Sequence, residues 1–440
     1  MKQYDTYKDS GIEWIGEIPS HWGVKKIKHR CYVKARVGWK GLKSDEFLKD
    51  GYAYLVTGSD FKNDKVDWKE CYHIDQERYE EDPYIQLQNE DLLITKDGTI
   101  GKLAIVNNID KPACLNSGIF VVRSTEEDFS TEFLFWILKS KLFTQFNEYT
   151  SYGSTIQHLY QNVFVEFGFT FPSIDEQTAI ATYLDRKTAE IESLIADKKR
   201  LLELYEEEKT AIINQAVTKG INQEVKLKDS GIEWLGEIPE HWEVKRLSWC
   251  FGIIGSGTTP KAGKEEYYYN GTFNWLLTGD LTDGEICETS KKITQKALDD
   301  HSSLKEYPKD SIVMAMYGAT IGKLGILKIP TSVNQACCVM GAPKHFYNIF
   351  AFYLLLAARK EIINMSYGGG QPNISQELIK SFRVQVPPLD EQQSIVQYIE
   401  IECSRIESKI AKTEKLIDLL TEYRTALISE VVTGKVKVID

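Results

Sequence analysis

The chain of 440 residues is 42% hydrophobic and 27% charged, an ordinary globular composition with material for two to four domains. No apolar run reaches the roughly 18 residues of a membrane span, and the N-terminal MKQYDTYKDS has no apolar signal core, so a cytoplasmic protein without a membrane partner is expected. The net charge of −11 argues against a uniformly basic nucleic-acid binder, and the eight cysteines, with neither a CxxC pair nor a His cluster, read as reduced, mostly buried thiols.

The first element is a frame, KDSGIEWIGEIPSHWGVKK at residues 8–26. Between Glu17 and Asp45 there is no acid, while Lys25, Lys26, Lys28, Arg30, Lys34, Arg36, Lys40 and Lys43 supply positive charge, with Trp22, Tyr32 and Trp39 interleaved. Such a stretch suits phosphate contact, and equally a solvated face. Short β-branched and aromatic runs follow at 52–56, 92–95, 103–106 and 119–122, and a helical pattern at 132–146, which together predict a mixed α/β domain with irregular strands.

A long helix is then predicted over 175–218, with no Gly or Pro. Leu184, Ile191, Lys198, Tyr205 and Ile212 recur every seven residues, a coiled-coil pattern with one polar seam position. Ser173 and Glu176 are spaced for a capping box at its start. At 1.5 Å per residue the helix spans roughly 65 Å.

The order then repeats. KDSGIEWLGEIPEHWEVKR at residues 228–246 matches the first frame at 15 of 19 positions. A second set of strand-like runs lies at 273–277, 311–314 and 324–327, with a helical pattern at 348–363. VPPLDEQ at 386–392 answers FPSIDEQ at 171–177 and opens a second heptad helix through Ile399, Ile406, Thr413, Leu420 and Leu427. The variable blocks are distant relatives: Thr57-Gly58 answers Thr278-Gly279, and Thr99-Ile-Gly-Lys102 answers Thr320-Ile-Gly-Lys323. Two halves related by an approximate two-fold axis, with helices packed antiparallel, suit a two-fold periodic ligand such as double-stranded DNA.

No catalytic constellation emerges. The Gly-Lys segments at 98–102 and 318–323 lack the spacing of a phosphate loop and the Ser or Thr after the lysine, so they read as tight turns in a sheet. Asp82-Pro83-Tyr84 reads as a turn, and His21 and His241 as structural parts of the frame. HExxH, GxSxG and spaced metal-ligand sets are missing, which points to a binding protein. The GGGQPN run at 368–373 exposes backbone N–H groups and carries amides that pair with adenine, a pattern that also fits an ordinary loop.

These motifs, in this order and duplicated, resemble the specificity subunit of a type I restriction–modification system. The resemblance covers essentially the whole chain. It rests on KDSGIEWxGEIPxHW before each block, PSIDEQ and PPLDEQ opening each helix, the AVTKG and VVTGK endings, and SGTTP, WLLTGD, ATIGK and GGGQPNIS in the second block. The first block lacks SGTTP and has Ser154-Thr155 where Gly369-Gly370 stand. The implied fold class is α+β: two pseudo-two-fold-related mixed α/β target recognition domains separated by two long antiparallel coiled-coil helices. The expected boundaries are 1–171 for the first domain, 172–224 for the central helix, 225–386 for the second domain and 387–440 for the C-terminal helix.

The resemblance further implies a non-catalytic chain in a prokaryotic cytoplasm. Each domain reads half of a split, asymmetric DNA target, and the helix pair sets the spacer and docks two methyltransferase subunits. S-adenosylmethionine, ATP and Mg are expected on partner subunits, the ATP on a restriction/translocase subunit, and none on this chain. Side-chain type and position in the repeat give the candidate DNA contacts. In the first block these are Lys34, Arg36, Lys40, Lys43, Thr57, Ser59, Lys96, Thr99, Lys102, Ser154, Thr155 and Gln157. In the second they are Ser256, Thr258, Thr259, Lys261, Thr278, Asp280, Tyr317, Thr320, Lys323, Gly369, Gly370, Gln371 and Asn373. The competing readings are an autonomous nuclease or methyltransferase, a coiled-coil scaffold without DNA binding, and a specificity factor of a related complex that lacks a cleavage subunit.

Overall fold

The computed structural model describes residues 2–36, 42–43, 46–150, 158–365 and 373–439. The chain forms two compact units, Met1–Lys199 with Glu414–Asp440, and Arg200–Thr413. Each unit holds one frame, one variable block and a part of each long helix.

The frame is a structural clamp. In the first unit, Tyr7–Asp9 and Glu17–Pro19 pair as an antiparallel hairpin. Gly11 and Gly16 take positive φ in its turn, where Asp9 Oδ1 accepts from Gly11 N at 2.9 Å. Trp22 is fully buried, and its Nε1 donates to Glu176 Oε1 at 3.1 Å. His21 Nε2 lies 3.0 Å from the same oxygen. Gln177, also fully buried, accepts from Ser130 N at 2.9 Å and donates to Asp128 O and Pro172 O, each at 3.0 Å. Buried polar groups are costly unless paired, which explains why His-Trp and Glu-Gln are repeated together. The second unit repeats the set. Trp242 Nε1 and His241 Nε2 reach Glu391 Oε2 at 2.9 and 2.8 Å, and Gln392 joins Tyr347 N, His345 O and Pro387 O. The capping box forms at the helix start, with Glu176 N donating to Ser173 Oγ and Ser173 N to Glu176 Oε2, each at 3.4 Å.

The variable blocks share one strand order. The first has a sheet ordered Cys31–Lys34, Ile119–Ser124, Leu92–Thr95, Leu103–Ile105, Lys65–Val66 and Phe61–Lys62. Beside it, Ala113–Leu115, Ala53–Val56 and Tyr72–Ile74 form a three-stranded sheet. The second block runs Phe251–Ser256, Cys337–Pro343, Ile312–Ala315, Leu324–Leu327 and Gly284–Ile286, beside Lys291–Ile293, Phe273–Leu276 and Ser332–Val333. Parallel pairings fall at matching places: Ile105 with Lys65 and Gly284–Ile286 with Leu324–Leu327, then Ala113–Leu115 with Ala53–Val56 and Ser332–Val333 with Phe273–Leu276. The expected mixed α/β domains are present.

Each late helical pattern divides in two. Thr131–Lys139 and Lys141–Thr150 are separated at Ser140, whose hydroxyl and N–H both return to Ile137 O, at 2.6 and 3.1 Å. A serine that competes for the backbone acceptor ends the first helix. Asn348–Ala357 and Arg359–Asn364 meet at Ala358.

The long helices are Ile174–Lys219 and Leu389–Val432. Within each unit they run antiparallel. Arg424 pairs with Glu192 at 3.1 Å in the first unit, and Lys209 with Glu407 at 2.6 Å in the second. Of the expected seam, Leu184, Ile191, Ile399, Ile406, Thr413 and Leu427 are buried, while Lys198, Tyr205, Ile212 and Leu420 are half-buried. Thr413 Oγ1 donates to Lys409 O at 2.9 Å, so the polar seam residue is satisfied within its own helix.

Candidate nucleic-acid interface

In the first unit the loops that leave the strands converge at one end of the sheets. Asn116 N donates to Val56 O at 2.9 Å, Lys96 N to Gly118 O at 2.9 Å, and Leu159 N to Lys96 O at 3.0 Å. A Cβ on Gly58 would stand 2.9 Å from Thr95 Cγ2. The 57–60 turn, the 95–102 turn, the 115–118 loop and the 158–159 segment therefore form one cluster. Thr57 and Ser59 shape it, because Asp60 Oδ2 accepts from Thr57 N at 2.7 Å and from its hydroxyl at 2.9 Å, and the Thr57 and Ser59 hydroxyls lie 2.7 Å apart. Burial pushes the Asp60 carboxyl upward against these hydrogen bonds.

The second unit builds the same cluster. Asn334 N donates to Leu276 O at 3.1 Å, Met316 N to Ala336 O at 2.7 Å, and Ile374 N to Met316 O at 2.8 Å. The Gly-Ser-Gly run at 255–257 is demanded by close approach. A Cβ on Gly257 would lie 1.7 Å from Val333 O, and one on Gly255 2.6 Å from the Tyr307 hydroxyl. Tyr307 OH donates to Ser256 O at 2.9 Å, and burial raises that phenol to about 12. Gln376 Nε2 donates to Ser256 Oγ at 2.7 Å, and Thr259 Oγ1 to Gln335 Oε1 at 2.6 Å.

The expected residues that the structure describes differ in access. Lys34, Lys43, Ser59, Thr99, Lys102, Thr259, Lys261 and Asn373 are exposed. Thr57, Lys96, Ser256, Thr258, Thr278, Tyr317, Thr320 and Lys323 are half-buried. The Lys34 ammonium sits 6.0 and 5.9 Å from the Tyr32 and Tyr84 rings. Thr99 and Lys102 line a groove of about 1140 Å³ in the first unit, which also takes in Asn63, Trp136, Thr188 and Arg424. The 98–102 and 318–323 segments are turns between antiparallel strands, as expected. Asp82-Pro83-Tyr84 is a turn opened by Asp82 Oδ1 accepting from Tyr84 N at 3.3 Å.

One expected contact, Arg36, is corrected, and a second residue, Asp280, takes part in holding its own turn. Arg36 is only 3% exposed, and its guanidinium donates to Leu115 O at 3.0 Å and Cys114 Sγ at 3.4 Å. It ties the end of a strand to a neighbouring loop and does not present a charge to a ligand. Asp280 accepts from Leu277 N at 2.9 Å and Ser290 N at 3.2 Å, so its carboxylate builds a turn. Lys40, Ser154, Thr155, Gln157, Gly369, Gly370 and Gln371 lie outside the described residues.

The sequence places His158 opposite the Gly-rich segment of the second block, and the structure adds Asp97, Gln335 and Gln376, which sequence reasoning missed. Asp97 Oδ1 lies 2.7 Å from His158 Nδ1, and Asp97 Oδ2 pairs with Lys96 Nζ at 2.9 Å. Burial alone would raise the Asp97 carboxyl, yet hydrogen bonds from Lys96 and His158 outweigh it and hold the group below its usual range. Gln335 and Gln376 position the Ser-Gly-Thr loop of the second unit. Their only sequence signal is position: Gln376 lies three residues after Asn373, and Gln335 lies next to Asn334, which stands in the second block where Asn116 stands in the first.

Among the described residues, no group of three His, Cys, Asp or Glu is placed to hold a metal ion, and no helix is long and apolar enough to cross a membrane.

Comparison with known proteins follows the same division. Residues 19–204 and 239–416 match the family described as type I restriction modification DNA specificity domain. The chain is 26% identical over 444 residues to the type I restriction enzyme MjaIX specificity subunit of Methanocaldococcus jannaschii, covering 96% of this chain and 95% of that one. It is 22% identical over 405 residues to the EcoKI specificity subunit of Escherichia coli, covering 88% and 82%. The crystal structure of the HsdS subunit from Thermoanaerobacter tengcongensis shares the fold, with a TM-score of 0.62 at 14% identity over 95% of this chain and 98% of that one. So does a chain solved in work on complex assembly and conformational transition of the type I R-M system, with a TM-score of 0.67 at 15% identity over 95% and 99%. With two copies of the matching domain and full-length relatives of one kind, the chain belongs to the family of type I restriction–modification DNA specificity subunits.

Proposed function

We propose that each block reads one half of a bipartite, asymmetric DNA target through the loop cluster at one end of its sheets. The observation that carries this reading is the repeated cluster itself. Its backbone hydrogen bonds recur in both units, while the exposed side chains on it differ. A frame used twice with different surfaces suits two unequal half-targets. Lys34, Lys102 and Lys261 supply exposed charge for phosphates, and the Ser, Thr, Asn and His side chains supply groups for base edges.

The long helices set the spacer between the half-targets. Two readers on one face of B-DNA sit about one turn apart, roughly 34–36 Å, within the length that helices of 46 and 44 residues provide. Changing the helix length changes the spacer and leaves the half-targets unaltered. The remaining helix faces dock two methyltransferase subunits, which bring S-adenosylmethionine and the chemistry, and a restriction/translocase subunit joins for cleavage. The chain itself performs no reaction and works in the cytoplasm on the chromosome.

The test is a genome-wide map of methylated adenine in the host with and without the gene. Loss of one split, asymmetric motif is expected. An unchanged map in a host that carries active methyltransferase subunits overturns the reading and favours a scaffold.

A further inference from the structure

The half-buried Asp97 and the exposed His158 of the first unit stand at backbone positions that the second unit fills with different chemistry. The bond from Leu159 N to Lys96 O, at 3.0 Å, has its counterpart in the bond from Ile374 N to Met316 O, at 2.8 Å. Each joins the residue after the Leu92–Thr95 or Ile312–Ala315 strand to the segment that follows the late helices. The two bonds therefore align Asp97 with Tyr317 and His158 with Asn373. In the first unit His158 Nδ1 meets Asp97 Oδ1 at 2.7 Å, with the two side chains 43% and 37% exposed. In the second, Tyr317 packs half-buried against the core while Asn373 is exposed.

A carboxylate has no proton to give, so the Asp97 contact places a proton on His158 Nδ1. Lys96 Nζ holds the other carboxylate oxygen at 2.9 Å and keeps Asp97 ionised. Nε2 lies across the ring and is turned away from Asp97. The imidazole is thus held at one edge and presents one nitrogen from the end of the sheets where the loops gather. Neutral, Nε2 accepts, which matches the amino groups of adenine and cytosine in the major groove. Protonated, it donates, which matches guanine N7 and O6. Asn373 offers an amide donor and acceptor instead, the pairing suited to adenine.

We propose that His158, oriented by Asp97, reads a base in the half-target of the first domain, and that the exchange of Asp97–His158 for Tyr317–Asn373 is one determinant of unequal half-targets. His158 is the reading side chain and Asp97 the positioning residue. The proposal rests on the reading of the two blocks as separate half-target readers.

The test uses the full-length chain in its native host, with methylated motifs mapped for the wild type, His158→Ala, His158→Gln, Asp97→Ala and Asp97→Asn. His158→Ala relaxes one position of one half-target, with discrimination there falling roughly 5- to 100-fold, while the other half-target and the melting temperature stay unchanged. His158→Gln, which substitutes an amide, shifts the preferred base at that same position. Asp97→Ala relaxes that position as well, and Asp97→Asn, which keeps an acceptor for Nδ1–H, retains the preference. A loss that is uniform across all sequences means a phosphate contact and overturns the proposal. So does a map unchanged at every position, or a change in both halves. A separate exchange of the whole first block isolates the underlying reading. If that exchange moves one half-target and the His158 variants do not, only the His158 assignment fails. If it moves neither half, the half-target reading fails.

Discussion

The first and second units differ least where buried polar groups must be paired and most where loops face solvent. Trp22, His21, Glu176 and Gln177 have one-for-one counterparts in Trp242, His241, Glu391 and Gln392, with nearly the same distances. At the loop end the chemistry separates. The first unit has Asp97–His158 and an open groove beside Thr99 and Lys102. In the second, Arg359 and Ile363 close over the matching turn, each with an atom 2.9 Å from where a Gly322 Cβ would stand, and Arg359 pairs with Asp283. The contrast teaches where a duplicated fold is free to vary. An unpaired buried donor costs about 1–3 kcal/mol, whereas an exposed loop residue changes at little cost to the fold.

The largest break in the comparison is expected from Gly257→Ala. A methyl group 1.7 Å from Val333 O has no room, so the loop must move at a cost of about 3 kcal/mol or more. Under the proposed half-target reading, methylation mapping is expected to show one half-target lost and the other kept. Glu176→Ala comes next. It strands the buried Trp22 Nε1, and urea unfolding should show a loss of about 1–3 kcal/mol. Glu391→Ala costs less, because the Glu391 side chain is 22% exposed against 8% for Glu176 and water replaces part of the lost bonding. Equal losses would break the distinction.

Acid sharpens it further. Burial opposes ionisation of Glu176, but hydrogen bonds from His21 and Trp22 prevail and hold it below its ordinary 4.5. A carboxylate with a lowered folded pKa contributes stability that is complete above 4.5 and fades as pH falls through the depressed value. Glu176→Gln should therefore flatten acid unfolding below that point, read by tryptophan fluorescence. A smaller asymmetry lies at the matched glycines. Gly58→Ala meets Thr95 Cγ2 at 2.9 Å, whereas Gly279→Ala meets nothing within 4 Å. A melting-temperature drop is expected in the first variant and none in the second. Smallest is Lys209→Ala, which removes the surface pair with Glu407 for about 0–1 kcal/mol.

Much of the fold was legible because it repeats and is periodic. The strands Leu92–Thr95 and Leu324–Leu327 fall where the apolar runs stand, and the helix read over 175–218 extends by one residue at each end. The site was legible by region and not by side chain. Arg36 belongs to the basic stretch, but alternation of buried Cys31 and Val33 with outward neighbours ends at Lys34, so the strand pattern does not say which way Arg36 turns. Asp97 and His158 are 61 residues apart. Nothing local links them, and only tertiary folding places one beside the other. Ser140 divides a helix that hydrophobic spacing alone carries through, since a hydroxyl bonding to the preceding turn leaves no mark on the apolar pattern.

The composition of the first unit from Met1–Lys199 and Glu414–Asp440 has a consequence for synthesis. Leu427, Ile428, Val431 and Val432 belong to the same apolar core as Ile15, Trp22 and Leu184, and Thr170 Oγ1 donates to Val432 O at 2.5 Å across 262 residues of chain. The first unit thus waits for a helical segment made more than 200 residues later. The second unit, Arg200–Thr413, is contiguous and emerges in one piece. At about 5–20 residues per second, the delay is roughly 10–40 s. During that interval the nascent first unit carries an unfilled apolar cleft, and order of folding is the reverse of order of translation.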